Sequence, residues 1–469
     1  MTRVEQIVQT ITARIRSEAS KSGERLPSIR QAARDHGVSK NTMAEAYDRL
    51  VAEGLLEGRV GSGYLVVHRH LASSNVPQPH VVEATDALSL LREQLDQHYD
   101  VRPGDGRPPP SWMEASELRR YFEGFRVSGG SNVDFGYGST RGHGPLRELL
   151  RTLLLDRSIA AKPDGLLLTH GANHALDLII RHLVEPGDTV FVDDPGYYPL
   201  FGKLALANAN IVGVRRGADG PDLEDLNTKL ATRHPKVFFT QSQAHNPTGS
   251  SLSPAVAFGL LQAAERWNFH LVEDDAFADI VSPTLPRLAA LDQLERVLYV
   301  GTFSKTLSAS LRSGFVAGHP AMIGALRDIK MITTIATSDF VERFIFNLIR
   351  SGQYLRHLRR LRARLEEANR RSIAALEAIG FSVQSNKVPG FYLWIQLPAY
   401  FNEQELCRAA AAEGIFTAPA QAFRPYRIDG DQAAMRVNVA YGADPRFLAF
   451  LQRSGSSSHN SQPRNRKQG

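Results

Sequence analysis

The segment richest in chemistry is Gly301-Thr302-Phe303-Ser304-Lys305-Thr306, with Arg312 seven residues beyond the lysine. It follows an apolar run, Val297–Val300, that reads as a strand. Lys305 is therefore expected at the C-terminal end of that strand, where α/β sheets place their sites. A lysine amine attacks an aldehyde to give a Schiff base, while nearby hydroxyls and a guanidinium hold a phosphate. Thr302, Ser304, Lys305 and Arg312 together suit a phosphate-bearing aldehyde. The bland alternative is a surface lysine after a strand.

Other segments supply parts that such a ligand needs. Thr169-His170-Gly171-Ala172-Asn173-His174 joins a strand to a helix, so the backbone N–H groups of Gly171, Ala172 and Asn173 can receive a phosphate at a helix N-terminus. Asp193-Asp194-Pro195-Gly196-Tyr197-Tyr198 places an aromatic just past a strand, where it can stack on a ring, although either tyrosine is equally a core residue. Asn246-Pro247-Thr248-Gly249 offers an amide to a phenolic oxygen. Glu273-Asp274-Asp275 ends another strand, and a carboxylate there can keep a pyridine nitrogen protonated. Arg436, on a late strand, can clamp a carboxylate bidentately or serve as an ion-pair partner. Each signal alone is modest, and their consistent order is what raises them above turns and strand ends.

These residues need a scaffold. From about 111 to 452 short apolar runs, Leu166–Leu168, Thr189–Asp193, Val237–Phe239, His270–Val272 and Val297–Val300, alternate with helical patterns such as 172–185 and 255–267. That predicts an α/β fold, a mostly parallel sheet with helices on both faces. Ahead of it, Val4, Ile7, Val8, Ile11 and Ile15 recur at helical spacing. Ser28 caps a second helix carrying Ile29, Ala32, Ala33 and His36 on one face. Gly37-Val38-Ser39 turns into a third, which buries Met43, Ala46, Tyr47, Leu50 and Val51. Leu55–Glu57 and Tyr64–Val67 flank Gly58-Arg59-Val60-Gly61-Ser62-Gly63 as a wing. Residues 1–70 thus read as a winged helix-turn-helix, 71–110 as a Pro/Gly-punctuated linker with one helix near Ala87–Tyr99, and 453–469 as a basic, disordered tail.

Length and composition agree. At 469 residues and 42% hydrophobic the chain is globular with more than one core, which excludes a largely disordered protein. The single Cys407 forms no internal disulfide, no Cys/His cluster has zinc spacing, and no signal peptide or membrane-length apolar run is present, so a soluble cytoplasmic protein is expected. The net charge of +6 divides into +3 for residues 1–70 (11 basic, 8 acidic), −1 for 71–452 (40 and 41) and +4 for the tail (4 and 0). A basic head on a near-neutral body fits phosphate contact at one end.

The head motifs Leu26-Pro27-Ser28-Ile29-Arg30, Ala46-Tyr47-Asp48-Arg49-Leu50, Glu53-Gly54-Leu55-Leu56 and Arg59–Tyr64 resemble the GntR winged helix. Residues 111–452, with Tyr137, Gly142 and Leu146-Arg147, resemble a fold-type I aminotransferase-like domain with a smaller C-terminal α/β subdomain. The whole is similar to the MocR-type subfamily of GntR transcriptional regulators. The resemblance implies pyridoxal 5′-phosphate (PLP) bound as an internal aldimine on Lys305, with Asp274 on the pyridine nitrogen, Asn246 on the ring oxygen and Tyr197 stacked on the ring. It puts Thr302, Ser304, Arg312 and the Gly171-Ala172-Asn173 turn on the phosphate, and Arg436 on the carboxylate of an amino acid or amine effector. Tyr137 would serve the partner's site in a homodimer. Ser28, Arg30, Lys40, Asn41 and Thr42, with Arg59 and Gly61 of the wing, would meet operator DNA. One departure stands out: where the family carries a tyrosine just past the pyridine aspartate, Phe277 has no hydroxyl. Three readings follow: a PLP-dependent regulator, an aminotransferase with a regulatory head, and a winged helix that binds protein rather than DNA.

Overall fold

The computed structural model describes residues 2–16, 23–59, 63–67, 87–113, 136–282, 284–384, 388–426 and 432–460. Two compact units divide between His80 and Val81.

The first unit packs three helices, α1 (Arg3–Arg16), α2 (Ile29–Asp35) and α3 (Lys40–Ala52), with an antiparallel pair, β1 (Leu56–Arg59) and β2 (Gly63–Val66). Val4, Ile7, Ile11 and Ile15, spaced by three or four, turn one face of α1 onto Ala32, Ala33, Met43, Ala46 and Leu50. Ser28 Oγ accepts from Gln31 N–H, and Ser39 Oγ accepts from Thr42 N–H, so both helices of the turn start on a side-chain cap. Gly37 between them has φ +63°, a conformation that favours glycine. The Tyr47 hydroxyl donates to Pro27 O at 3.0 Å, and its ring meets Tyr64 of the wing edge-on at 4.8 Å. Two expected core positions, His36 and Val51, are exposed. His36 caps the C-terminal end of α2 and Val51 lies in the last turn of α3.

The body's main sheet comprises β3 (Leu166–Thr169), β4 (Thr189–Asp194), β5 (Asn210–Gly217), β6 (Gly220–Pro221), β7 (Pro235–Thr240), β8 (His270–Asp274), β9 (Val297–Thr302) and β10 (Gly314–Ala317), in the order β3-β10-β9-β8-β7-β4-β5-β6. The five strands from β9 to β5 are parallel, while β10 runs antiparallel between β9 and β3. Alternate residues face opposite ways. Leu167, Val190, Val192, Val237 and Phe239 enter one apolar cluster, whereas Leu166, Leu168, Phe191 and Phe238 enter the other. Both faces are therefore covered, which the near-continuous apolar runs anticipated. A second sheet, β11 (Ser382–Val383), β12 (Tyr392–Gln396), β13 (Ala418–Pro419) and β14 (Ala434–Asn438), is antiparallel in the order β11-β12-β14-β13.

The segment expected as linker is described from residue 87 onward, and there it is built into the body. A helix spans Ala87–Asp96, and the chain after it is part of the body: Val101, Arg102 and Asp105 are buried. Gly104 N–H donates to Phe416 O, Asn438 N–H donates to Pro103 O, and Arg102 pairs with Glu93 and Asp105 at 2.7 and 2.8 Å. Proline and glycine here shape a turn laid against β13 and β14; at Gly104 a Cβ would lie 2.5 Å from the Thr417 carbonyl carbon. The tail is corrected likewise. The last helix runs Pro445–Asn460, past the expected start of disorder at 453, and residues 461–469 lie outside the described residues.

Candidate functional site

The body's chemistry-bearing residues gather at one edge of the main sheet. Asp274 ends β8, Lys305 follows β9 by three residues, Gln241 follows β7, Asp193 lies at the end of β4 and Thr169 ends β3. Because β3 and β9 both run antiparallel to β10, all these ends lie on the same side. This is the edge at which open α/β sheets carry ligands.

Asp274 is buried, and its Oδ2 accepts from Gln241 Nε2 at 2.8 Å while its Oδ1 is buried without a partner. Burial pushes this carboxyl up to about 6, with the Gln241 hydrogen bond opposing that shift and Asp275 adding to it. Gln241 is itself fixed on every side. Its Oε1 accepts from Asn246 N–H at 2.7 Å, its N–H donates to Asp193 Oδ2, and its carbonyl accepts from Arg216 Nη2 at 2.8 Å. Arg216, wholly buried, also pairs with Asp193 at 3.0 Å and donates to Ser250 Oγ. Sequence reasoning missed Gln241, Asp193 and Arg216 in these roles. The available signal was the polar run Gln241-Ser242-Gln243 directly after an apolar strand, all three buried.

Lys305 is half-buried and donates to the carbonyl of Gly106. Burial, then the field of Arg436 and more weakly that of Arg107, lowers its ammonium to about 8, with Asp105 and Asp274 pulling the other way. Tyr197 lines one small cavity together with Gln241 and Asp274, and burial raises its phenol. Tyr198 turns into the core, its hydroxyl accepting from Gln94 Nε2 at 2.6 Å.

Toward the other end, Gly171 has φ +80° at the start of the helix Ala172–Leu183, which has no side-chain cap. Arg312 reaches His170 O with Nη2 at 3.1 Å, and a Cβ on Gly171 would stand 3.2 Å from that Nη2. Thr302 Oγ1 donates to Ser313 O and accepts from Ser304 N–H. Asn173 and Arg312 are exposed and Ser304 half-buried, so this end is open. An uncapped helix start, a guanidinium and two hydroxyls are a fitting donor set for phosphate.

Arg436 is fully buried between the rings of Tyr392 and Phe423, each 4.8 Å from its guanidinium. Nη1 donates to Asn246 Oδ1 at 2.8 Å and Nη2 to Gly104 O at 2.6 Å, while Nε is buried without a partner. The turn misread as linker thus supplies two carbonyls to the site, Gly104 to Arg436 and Gly106 to both Lys305 and the Tyr392 hydroxyl. Phe277 is buried against Phe391 and Tyr392, so its ring is core. Tyr137 is 82% exposed and stands apart from this constellation within its own chain.

In the head, Ser28, Arg30, Lys40 and Asn41 are exposed at the N-terminal ends of α2 and α3, and Thr42 is half-buried with its hydroxyl 2.8 Å from Ser39 Oγ. The start of the second helix of such a turn is what enters a major groove. Gly61 and the side chain of Arg59 lie outside the described residues.

A buried aspartate with one oxygen unclaimed, a lysine of lowered pKa and an uncapped helix start beside a guanidinium share one side of the body's sheet, in one chain with a winged helix. Comparison with known proteins places both parts. The model of aminotransferase class I and II matches residues 98–453, and that of the bacterial regulatory proteins of the gntR family matches residues 3–66. The chain belongs to the aminotransferase class I and II family, joined to a gntR-type head as in MocR-type transcriptional regulators. It is 29% identical to the probable rhizopine catabolism regulatory protein MocR of Rhizobium meliloti, over 88% of this chain and 85% of that protein. It is 27% identical to the uncharacterized HTH-type transcriptional regulator YdfD of Bacillus subtilis (strain 168), over 87% of each. Among solved structures, kynurenine aminotransferase of Pyrococcus horikoshii, in complex with PMP, superposes with a TM-score of 0.72 at 25% identity, covering 80% of this chain and 94% of that one. Among the described residues no helix is long and apolar enough to cross a membrane.

Proposed function

We propose that this protein is a cytoplasmic, homodimeric transcriptional regulator that binds operator DNA through residues 1–70 and holds PLP on Lys305, where an amino acid or related amine competes for the cofactor. The observation that carries the cofactor reading is Asp274 Oδ1, a buried carboxylate oxygen with no partner beside Tyr197. A ring N–H is the donor such an atom lacks, since an unsatisfied buried acceptor costs about 1–3 kcal/mol. PLP, when bound, supplies an aldehyde for amine exchange and an electron-withdrawing ring. The chain's own residues do the rest. Gln241 keeps Asp274 aimed and ionised, and the side-chain NH2 of Asn246 donates to the ring oxygen while its Oδ1 stays with Arg436. Arg312, Thr302, Ser304 and the Gly171–Asn173 turn hold the phosphate. Arg436, with Nε free, receives the effector's carboxylate.

A switch requires that the effector bind two states unequally. Exchange at Lys305 and ion pairing at Arg436 give an amino acid contacts that depend on how the site is closed around it. DNA upstream of the protein's own gene and its neighbour, run in a gel shift with and without PLP and amino acids, tests the reading. Specific retardation that responds to either ligand supports it, and absence of any specific DNA binding overturns it. The completeness of the Lys305–Asp274–Asn246–Arg436 set favours a second reading, an aminotransferase with a regulatory head. Turnover of an amino acid with a keto acid, without DNA binding, would establish that one instead.

A further inference from the structure

Lys305 and Asp274 are each followed in sequence by a residue that belongs to one buried hydrogen-bond network beneath the site. Asp275 Oδ2 accepts from the Tyr299 hydroxyl at 2.9 Å and from Arg287 Nε at 2.7 Å. Arg157 donates through Nη1 to the Tyr299 oxygen at 3.3 Å and through Nη2 to Asp279. The other oxygen of Asp279 accepts from the Tyr354 hydroxyl, and Tyr354 lies 2.8 Å from Thr306 Oγ1. Because the only proton of Tyr354 goes to Asp279, Thr306 must be the donor to Tyr354. One turn further along the same helix, Gln353–Ala378, His357 Nε2 donates to the carbonyl of Thr306 at 2.6 Å.

Every hydroxyl proton in the series has one assignment: Thr306 to Tyr354, Tyr354 to Asp279, and Tyr299 to Asp275. The two carboxylates are matched by two guanidinium groups, Arg157 and Arg287. Thr306, Tyr299 and Tyr354 are buried, so a donor or acceptor lost here cannot turn to water.

Resting on the reading that Lys305 carries the cofactor, we propose that Tyr354 is a positioning residue: with His357 it grips Thr306 and thereby fixes Lys305, while the far end of the network holds the Asp274 strand end at a set separation. The Lys305 amine is faced by Arg436, Arg107, Asp105 and Asp274. A small displacement of the lysine changes its distance to all four charges, so the pH dependence of the bound cofactor reports its position.

The test uses full-length protein loaded with PLP. The pH midpoint of the visible cofactor band and the rate of cofactor loss on dilution are measured for wild type, Tyr354→Phe, Thr306→Val and Thr306→Ser. Tyr354→Phe and Thr306→Val are expected to move the midpoint by about half a unit or more and to speed cofactor loss about tenfold, with Thr306→Ser close to wild type. The double variant should be no worse than the more affected single one, since both break the same Thr306–Tyr354 hydrogen bond. A midpoint and loss rate unchanged in both Tyr354→Phe and Thr306→Val overturn the proposal, as does Thr306→Ser behaving like Thr306→Val. If Tyr354→Phe does not fold, the Thr306 pair decides alone. Wild-type protein that takes up no cofactor overturns the cofactor reading itself, a result distinct from either.

Discussion

In the body, the innermost candidate ligand-binding side chains, Asp274, Asn246 and Arg436, are held by others before any ligand arrives. Asp274 is aimed by Gln241, Asn246 by Gln241 and Arg436, and Arg436 by two rings and the Gly104 carbonyl. In the head, Arg30, Lys40 and Asn41 stand exposed at helix ends, and what the fold fixes there is the backbone, through the Ser28 and Ser39 caps. The buried set draws its strength from desolvation and preorganisation, so its members should act as a unit. Against DNA the exposed set would draw on phosphate charge in high dielectric, where contributions are smaller, closer to additive and sensitive to salt. Substitutions that make the two sets behave alike would break this contrast.

The largest effect is expected at Lys305. Lys305→Ala removes the amine at the end of β9 and should abolish the visible cofactor band; absorbance after gel filtration checks it, and a surviving band refutes the assignment. Arg436→Ala comes next. It leaves Asn246 Oδ1 and Gly104 O without their buried donor, and truncating one member of such a set costs about 2–5 kcal/mol. The spectral response to amino acids should be lost by that margin, while the response to small amines lacking a carboxylate persists. Equal loss for both classes would make the arginine structural.

The pKa shifts set a pH window for the same site. Lys305, lowered to about 8, offers neutral amine in a roughly tenfold smaller fraction for each pH unit below that value. Asp274, raised to about 6, loses its capacity to accept from a ring N–H below that pH. The rate of cofactor capture should therefore fall from pH 8 downward and more steeply below 6, which stopped-flow absorbance can follow. The folding sign runs the other way. A carboxyl whose pKa is raised on folding contributes stability that is present below its unfolded value and is lost as pH rises through about 6. Through Asp274 alone, the cofactor-free body loses this contribution over the range in which that carboxylate becomes able to accept from a ring N–H. Asp274→Asn should flatten both profiles near 6, and one unchanged there would clear Asp274 of the effect.

The same contrast explains what was readable in the sequence. The strands, their order along the chain, the lysine and aspartate past or at strand ends and the arginine on a late strand were legible, because periodicity and charge beside apolar runs are local signals. The head was equally so, down to the capping serines. What escaped was non-local. Gln241 carries no charge and acquires its role only when β7 and β8 pair and bring it 2.8 Å from Asp274. Gly104 and Gly106 look like linker because their partners, Arg436 at 332 residues' separation and Lys305 at 199, are invisible locally. Burial of the Pro/Gly-rich turn depends on β13 and β14, which sequence patterning alone did not connect to it.

The smaller effects belong to the head and test its side of the contrast. Arg30→Ala and Lys40→Ala should each weaken operator binding by about 1–3 kcal/mol if they reach base edges or phosphates, with the cofactor spectrum unchanged. For a phosphate contact the slope of log affinity against log salt should shrink by about 0.9 per residue removed, and the double variant should show close to the sum. Strong non-additivity, of the kind expected among Asp274, Gln241 and Asn246, would mean the head is preorganised as the body is. Ser39→Ala is the mildest change. It deletes the cap on α3 without removing any charge, so Thr42 N–H loses its acceptor and the head loses about 1 kcal/mol of stability. Thermal unfolding should show that loss while the salt slope of DNA binding stays the same, because the phosphate-facing cations are untouched. A changed slope would place Ser39 itself at the DNA, and the exposed face would then extend one residue further back than the helix.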